Sequence, residues 1–246
     1  METSKYNWMG TGHAAIFDKS TFETLWTSFP ISFIEDFIKC SLVIPAFAGA
    51  ESGCLWVVHD LNGALEAIEA DAEGGIFGIE LTNANEAQEG VLCQDDNRNF
   101  DVTHGLIFET KLTINTLPTV LAEFQWGLGD DYVVAGFDAL SYCIGFDVDG
   151  SGALNVYKED GVTTQVVSTG LTLGAGTYYV FRIDCTDLTD IKFFVDGVQV
   201  CAATAFPFAA TGANAVLQPY TVGYKSGGTG IGLLYMDYIK IWMNRS

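Results

Sequence analysis

The sequence predicts an all-β protein of two antiparallel sheets. Three observations carry this. Apolar residues recur with period two over several stretches, Gly- and Asp-rich turns separate those stretches every 8–12 residues, and no heptad or long helical period occurs. At 246 residues, with 49% hydrophobic and 13% aromatic residues, the chain can bury one large core without metal or disulfide help.

The clearest element is a hairpin. Ile191–Val195 and Val198–Cys201 flank Asp196-Gly197, the pair favoured in a two-residue turn whose central residues both need positive φ. Just before it, Tyr179, Phe181 and Ile183 share one face while Arg182 and Asp184 share the other. Upstream, Leu106, Phe108, Leu112 and Ile114 alternate with Glu109, Lys111 and Thr113. Ile144, Phe146 and Val148 form a further face, turned by Asp149-Gly150-Ser151-Gly152 into Leu154 and Val156, with a second turn at Glu159-Asp160-Gly161. Leu233 to Trp242 reads as a long closing strand. Residues 1–30 differ: Tyr6, Trp8, Phe17, Phe22, Trp26 and Phe29 are scattered among small polar residues, with one weak helical run from Thr21 to Trp26. The expected organisation is a short irregular N-terminal arm, 1–30, and one β domain, 31–246.

Charge excludes several function classes. With 31 acidic against 11 basic residues the net charge is −20, so approach to phosphate is disfavoured. Nucleic acid and anionic membrane are excluded as partners on that ground. The longest charge-free stretch, Gly197 to Tyr224, holds Pro207 and Pro219 and is no membrane helix. The N-terminus lacks the basic start and apolar run of a secretory signal, so synthesis in a cytoplasm is expected. On that basis the six cysteines, at 40, 54, 93, 143, 185 and 201, are expected as reduced apolar residues.

The pairs Gly105–Lys111 with Phe124–Leu128, Tyr178–Asp184 with Ile191–Val198, and Leu217–Tyr220 with Met236–Trp242 resemble strands of concanavalin-like lectin/glucanase domains. The resemblance covers about residues 31–246 and implies a jelly-roll sandwich. With the lead-in Phe33–Phe37 it is similar to structural proteins of tailed bacteriophages. What this implies is a non-enzymatic virion protein, a capsid decoration, cement or head-fibre protein on the outer surface. Its expected partners are a major capsid protein or other virion protein, further copies of itself, and a surface glycan. A carbohydrate-binding module for host recognition is the first alternative and a glycoside hydrolase the second.

No residue is singled out as catalytic, cofactor-binding or metal-ligating, although several constellations come near a functional pattern. Glu69-Ala70-Asp71-Ala72-Glu73 has the spacing of a glucanase carboxylate strand, where retention needs two carboxyls about 5–5.5 Å apart. In glucanases, however, that motif follows the Gly-x-Phe-Glu-x-x-Lys strand, and here it precedes it; a solvated acidic loop is expected. Asp147-Val148-Asp149-Gly150-Ser151-Gly152 opens like a calcium loop, but Lys158 stands where the bidentate Glu belongs, so a hairpin turn is expected. Asp130, Asp131, Asn155 and Trp126 are candidate sugar contacts without a motif. His13, His59 and His104 lack metal spacing, and Gly227-Gly228-Thr229-Gly230 lacks the Lys of a phosphate loop.

Overall fold

The computed structural model describes residues 5–8, 14–17, 24–26, 31–37, 56–68, 75–95, 97–119 and 121–244. Its strands in chain order are β1 (Lys5–Trp8), β2 (Ala14–Phe17), β3 (Thr24–Trp26), β4 (Ile31–Glu35), β5 (Val57–Leu61), β6 (Leu65–Ile68) and β7 (Phe77–Leu81). There follow β8 (Gln88–Cys93), β9 (Phe100–Asp101), β10 (Ile107–Thr116), β11 (Ala122–Gly129), β12 (Tyr142–Val148) and β13 (Ala153–Asp160). The last are β14 (Thr164–Thr172), β15 (Tyr178–Asp184), β16 (Lys192–Val195), β17 (Val198–Val200), β18 (Val216–Lys225) and β19 (Gly232–Met243). Three short 3-10 turns and no α-helix occur among the described residues.

Two antiparallel sheets form the domain. Sheet I runs β17-β16-β15-β10-β19-β7-β6, and β4 also pairs with β19. Sheet II runs β14-β13-β12-β11-β18-β8-β5, and β9 also pairs with β18. The long β19 serves both neighbours on one side: its first half pairs with β7 and its second half with β4. The lead-in departs from the expected irregular arm. It contains a small antiparallel sheet, β1-β2-β3, and the helical run toward Trp26 ends in a strand. Its β-branched and aromatic residues fit a pleat better than a helix. Where its aromatic side chains lie falls outside the described residues.

Period-two patterning put the right residues inside. Phe181, Ile183, Phe193 and Val195 of sheet I are buried against Trp126, Ile144 and Phe146 of sheet II. Trp126 meets Phe181 edge-on with ring centroids 4.8 Å apart, and Phe146 meets Phe193 edge-on at 5.6 Å. Such pairs add about 0.5–1.5 kcal/mol each beyond area burial. The Asp196-Gly197 turn has both residues at positive φ, 49° and 73°, and joins Val195 to Val198 as a two-residue hairpin.

Cys93, Cys143 and Cys185 are fully buried, Cys201 is partly exposed, and none of the four is disulfide-bonded; Cys40 and Cys54 lie outside the described residues. Burial pushes the Cys143 and Cys185 thiols well up, so their thiolate fraction is negligible at neutral pH. Among these four, only Cys201 is expected to be alkylated in the native protein, the other three becoming reactive on unfolding without reductant. Peptide mass mapping checks this, and rapid native labelling of Cys143 or Cys185 would contradict the packing.

Candidate functional site

Alternation divides β11 into an inward set, Phe124, Trp126 and Leu128, and an outward set, Glu123, Gln125 and Gly127. Register extends the outward set across sheet II: Gln125 faces Asp147 and Val222, and Glu123 faces Tyr224. Beside Asp147 stands Asn155 of β13, and Glu89 lies next to Tyr224 on β8. One outer face therefore gathers carboxyl, amide and aromatic side chains from five strands.

The segment Asp130–Leu140, between β11 and β12, folds back over part of that face. Phe137 and Leu140 pack with Tyr157, Tyr220 and Val91 in a second, smaller apolar cluster. The Phe137 amide donates to Gln125 Oε1 at 2.6 Å, and the Ala135 and Gly136 amides donate to Glu89 Oε1 at 3.0 and 3.3 Å. Tyr157 donates its hydroxyl to Asp138 at 3.1 Å. Two glycines make this fit. A Cβ on Gly145 would stand 2.5 Å from the Phe137 ring, and Gly136 has φ 62° with Gln125 Oε1 2.4 Å from where a Cβ would be. Farther along, His59 stacks on Tyr132 at 3.6 Å with its Nε2 3.3 Å from Asp95.

Beyond this loop the face stays open. A groove of about 450 Å³ is lined by Leu121, Ala122, Glu123, Ala135, Asp138, Asp149 and Tyr224, among others. Burial, then the neighbouring Asp147, Asp138 and Asp149, push the Glu123 carboxyl up to about 7. Burial also raises Asp147, against the hydrogen bonds from Asn155 and Gln125 that favour its charged form. The Gln125 amide nitrogen stands 3.5 Å from both the Glu123 and the Asp147 carboxyl. Asp147 is nonetheless closed to a ligand: Gln125 meets one oxygen, Asn155 donates to the other at 3.1 Å, and the side chain is buried. The groove thus offers acceptors and one aromatic ring, an arrangement that receives hydroxyl donors and repels anions.

The sequence candidates land in different places. Trp126 is no platform: it lies wholly inside the sandwich, because it shares parity with Phe124 and Leu128. Asn155 and Asp147 do come together on the outer face. Asp131 accepts from the Tyr132 amide at the start of the covering loop, and burial raises the Asp130 carboxyl. Asp149 closes the β12–β13 hairpin, accepting from the Ser151 amide and hydroxyl, and these bonds lower its pKa against the opposing effect of burial. His104 sits 3.9 Å from Asp101. Glu69, Asp71, Glu73 and His13 lie outside the described residues. In the Gly227–Gly230 segment the Gly228 and Gly230 carbonyls accept from the buried Lys225 Nζ at 3.2 Å each. That polarity suits a cation and opposes phosphate. Sequence reading missed Glu123, Asp138, Tyr224 and Glu89. Outward parity opposite Phe124 and Trp126 was the available signal for Glu123.

No family model and no curated protein matches the chain. Solved structures do match. A protein of unknown function from Shewanella oneidensis MR-1 superposes with TM-score 0.57 at 14% identity, over 92% of this chain and 93% of that one. A β-1,3-glucanase from Mycobacterium marinum gives TM-score 0.56 at 16% identity, over 88% and 100% of the two chains. The carbohydrate recognition domain of Emp47p gives TM-score 0.53 at 14% identity, over 87% and 95%. At such identities the likeness is one of fold, and one fold hosts both an enzyme and a recognition domain. Two antiparallel sheets, packed face to face and matched over most of their length, give this chain the concanavalin-like lectin/glucanase fold.

Proposed function

We propose that this chain is a non-catalytic carbohydrate-binding module that receives a neutral glycan in the outer groove of sheet II. The observation that carries the reading is the pairing of Glu123 with Tyr224 across β11 and β18, in a groove that Asp138 and Asp149 also line. A sugar ring presents an apolar face to an aromatic side chain and hydroxyl donors to carboxylates, and this groove offers both. The acid-lined walls select against uronates and sialylated ends. The non-catalytic reading is supported by Asp147, a carboxyl beside Glu123 with a raised pKa, whose oxygens are engaged by Gln125 and Asn155. A glycosidase needs its second carboxylate free to reach the anomeric carbon or its water. The outer surface of a phage particle, implied by the sequence resemblance, suits such a module, since a −20 protein is repelled by a packaged polyanion.

Calorimetry against neutral β-1,3-glucan oligosaccharides, with a glycan array for breadth, tests the reading. Tyr224→Ala and Glu123→Ala are each expected to weaken binding roughly tenfold or more, the effect of losing about 1.5 kcal/mol. No reducing ends should accumulate on prolonged incubation with the parent protein. Absence of binding to any neutral glycan would remove the proposal, and hydrolysis lost in Glu123→Ala would replace it with an enzyme.

A further inference from the structure

Among the described residues, seven other than glycine hold a positive φ. Three of them, Asn62, Asp95 and Asp196, are of the types that tolerate it, because a short polar side chain can bond locally. Each of the other four carries a steric cost, of a kind that persists only where the surroundings hold it in place. Phe37 is buried in the main core and Cys201 packs against that core. Leu121 and Ala135 belong to neither apolar cluster, and both line the outer groove of sheet II.

Leu121 is the stronger case. The Ala122 amide donates to the Thr119 carbonyl at 2.9 Å, so Leu121, with φ 67°, is the third residue of a tight turn. Glycine or asparagine is favoured where that position needs a positive φ. The turn is fixed from outside: the Thr119 amide donates to the Ile231 carbonyl at 3.0 Å, and the Ile231 amide to the Thr119 hydroxyl at 3.0 Å. Burial does not offset the strain, since Leu121 is 59% exposed. A single exposed leucine is ordinary, and a strained leucine is tolerable when it fills a core. One that is both strained and exposed, on the rim of a groove, has its compensation in what enters the groove.

The neighbours say what that is. Leu121 immediately precedes β11, Glu123 stands two residues on, and Tyr224 lies across from Glu123 on β18. An aliphatic side chain thus adjoins an aromatic ring and a set of carboxyls. A hexose would bring a hydroxymethyl group to such an aliphatic edge, and its hydroxyl would lose water there without gaining a partner. A 6-deoxyhexose brings a methyl group instead and keeps its ring hydroxyls. We infer that Leu121 is a specificity-determining residue of the groove, selecting glycans that carry a 6-deoxyhexose by packing on its methyl group while Glu123, Asp138 and Asp149 accept from the ring hydroxyls. The inference rests on the reading of the groove as a neutral-glycan site and adds the class of sugar.

Protein-observed NMR titration of the full chain tests it, with the methyl β-glycosides of glucose, 6-deoxyglucose and N-acetylglucosamine. The first two differ by one oxygen. The parent is expected to bind the 6-deoxy sugar roughly fivefold more tightly than the glucoside, the effect of one methyl-sized apolar contact. Leu121→Gly and Leu121→Ala are each expected to bring that ratio near one. Thermal unfolding separates recognition from a structural role. Leu121→Gly relieves the turn and is expected to raise the midpoint by about 2 °C. Leu121→Ala keeps the strained backbone and is expected to leave it unchanged. A parent that binds the glucoside equally well, a preference for the acetamido sugar, a ratio unaltered in Leu121→Gly, or a midpoint several degrees lower in that variant would each overturn the inference and leave the groove reading standing. A parent that binds none of the three sugars overturns both.

Discussion

Replacing Lys225 by Met is expected to lower the stability of this protein by about 3–5 kcal/mol, and its thermal midpoint by roughly 10 °C. Lys225 ends β18 with its side chain fully buried. Its ammonium reaches the carbonyls of Thr82 and Ala84 at 2.6 Å each, and those of Gly228 and Gly230 at 3.2 Å each. One cation therefore ties the β7–β8 connection to the β18–β19 connection. An ammonium offers three N–H donors to these four carbonyls, so one donor is shared between two of them and no donor is left over. Met matches the length and removes the donors, leaving inward-pointing carbonyls without a partner. The measurement is denaturant unfolding, with the midpoint falling and the slope unchanged. A loss below about 1 kcal/mol would show that water satisfies these carbonyls once the ammonium is gone.

The same residue shows where sequence reading stops. Lys158 and Lys225 are two of only 11 basic residues in a strongly acidic chain, and a solvated position is the ordinary expectation for lysine. Both are fully buried. Parity gave a hint, since Lys158 follows Leu154 and Val156 on the inward face of β13. What it could not give was the partner. Lys158 finds Asp160 at 2.9 Å and Thr163 at 2.7 Å, both supplied by the β13–β14 turn. Asp160 also accepts from the Val162, Thr163 and Ala209 amides; although burial opposes it, Lys158 and these donors hold its pKa far below the usual carboxylate range. The turn was legible and the buried charge that it satisfies was not.

Local pattern and long-range register divide the remaining features in the same way. The Asp196-Gly197 hairpin and the inward set Phe181, Ile183, Phe193 and Val195 depend on neighbours along the chain and were readable. The groove depends on Glu123 meeting Tyr224 across two strands far apart in sequence, and on the segment Asp130–Leu140 covering one part of sheet II but not another. No spacing motif records either event. Trp126 was misplaced for a simpler reason: its chemistry suggested a sugar platform, while its alternation with Gln125 already placed it in the core.

Stability is expected to fall as pH rises from about 5 to 8, by on the order of 3 kcal/mol, against the usual behaviour of an acidic protein whose carboxylates are paired. Three carboxyls drive this. Burial, and then the nearby Asp60, push Glu66 up to about 8. Burial pushes Glu89 up to about 7 against the Ala135 and Gly136 amides, and Glu123 reaches about 7. Each folded-state pKa lies above the ordinary value of 4.5, so between about pH 4.5 and 8 the folded protein binds more protons than the unfolded chain. Linkage then makes the slope of unfolding free energy against pH negative across that window. A full conversion at about 1.4 kcal/mol per pKa unit would exceed the figure given, which is reduced because Glu66 and Glu123 are partly exposed. His59 works the other way and more weakly: burial lowers its pKa, so stability associated with its neutral form is lost as pH falls through 6.5 and below. Asp149 and Asp160, held low, contribute stability that disappears only as pH falls below about 4. The maximum is therefore expected near pH 5. Glu89→Gln supplies the decisive comparison, since an amide oxygen can still accept from Ala135 and Gly136 but cannot ionise. Its unfolding free energy should exceed that of the parent at pH 8 and approach it at pH 5. A parent whose stability is flat or rising across this range, or a Glu89→Gln variant with the parent's slope, would show that these carboxyls are solvated in the folded state.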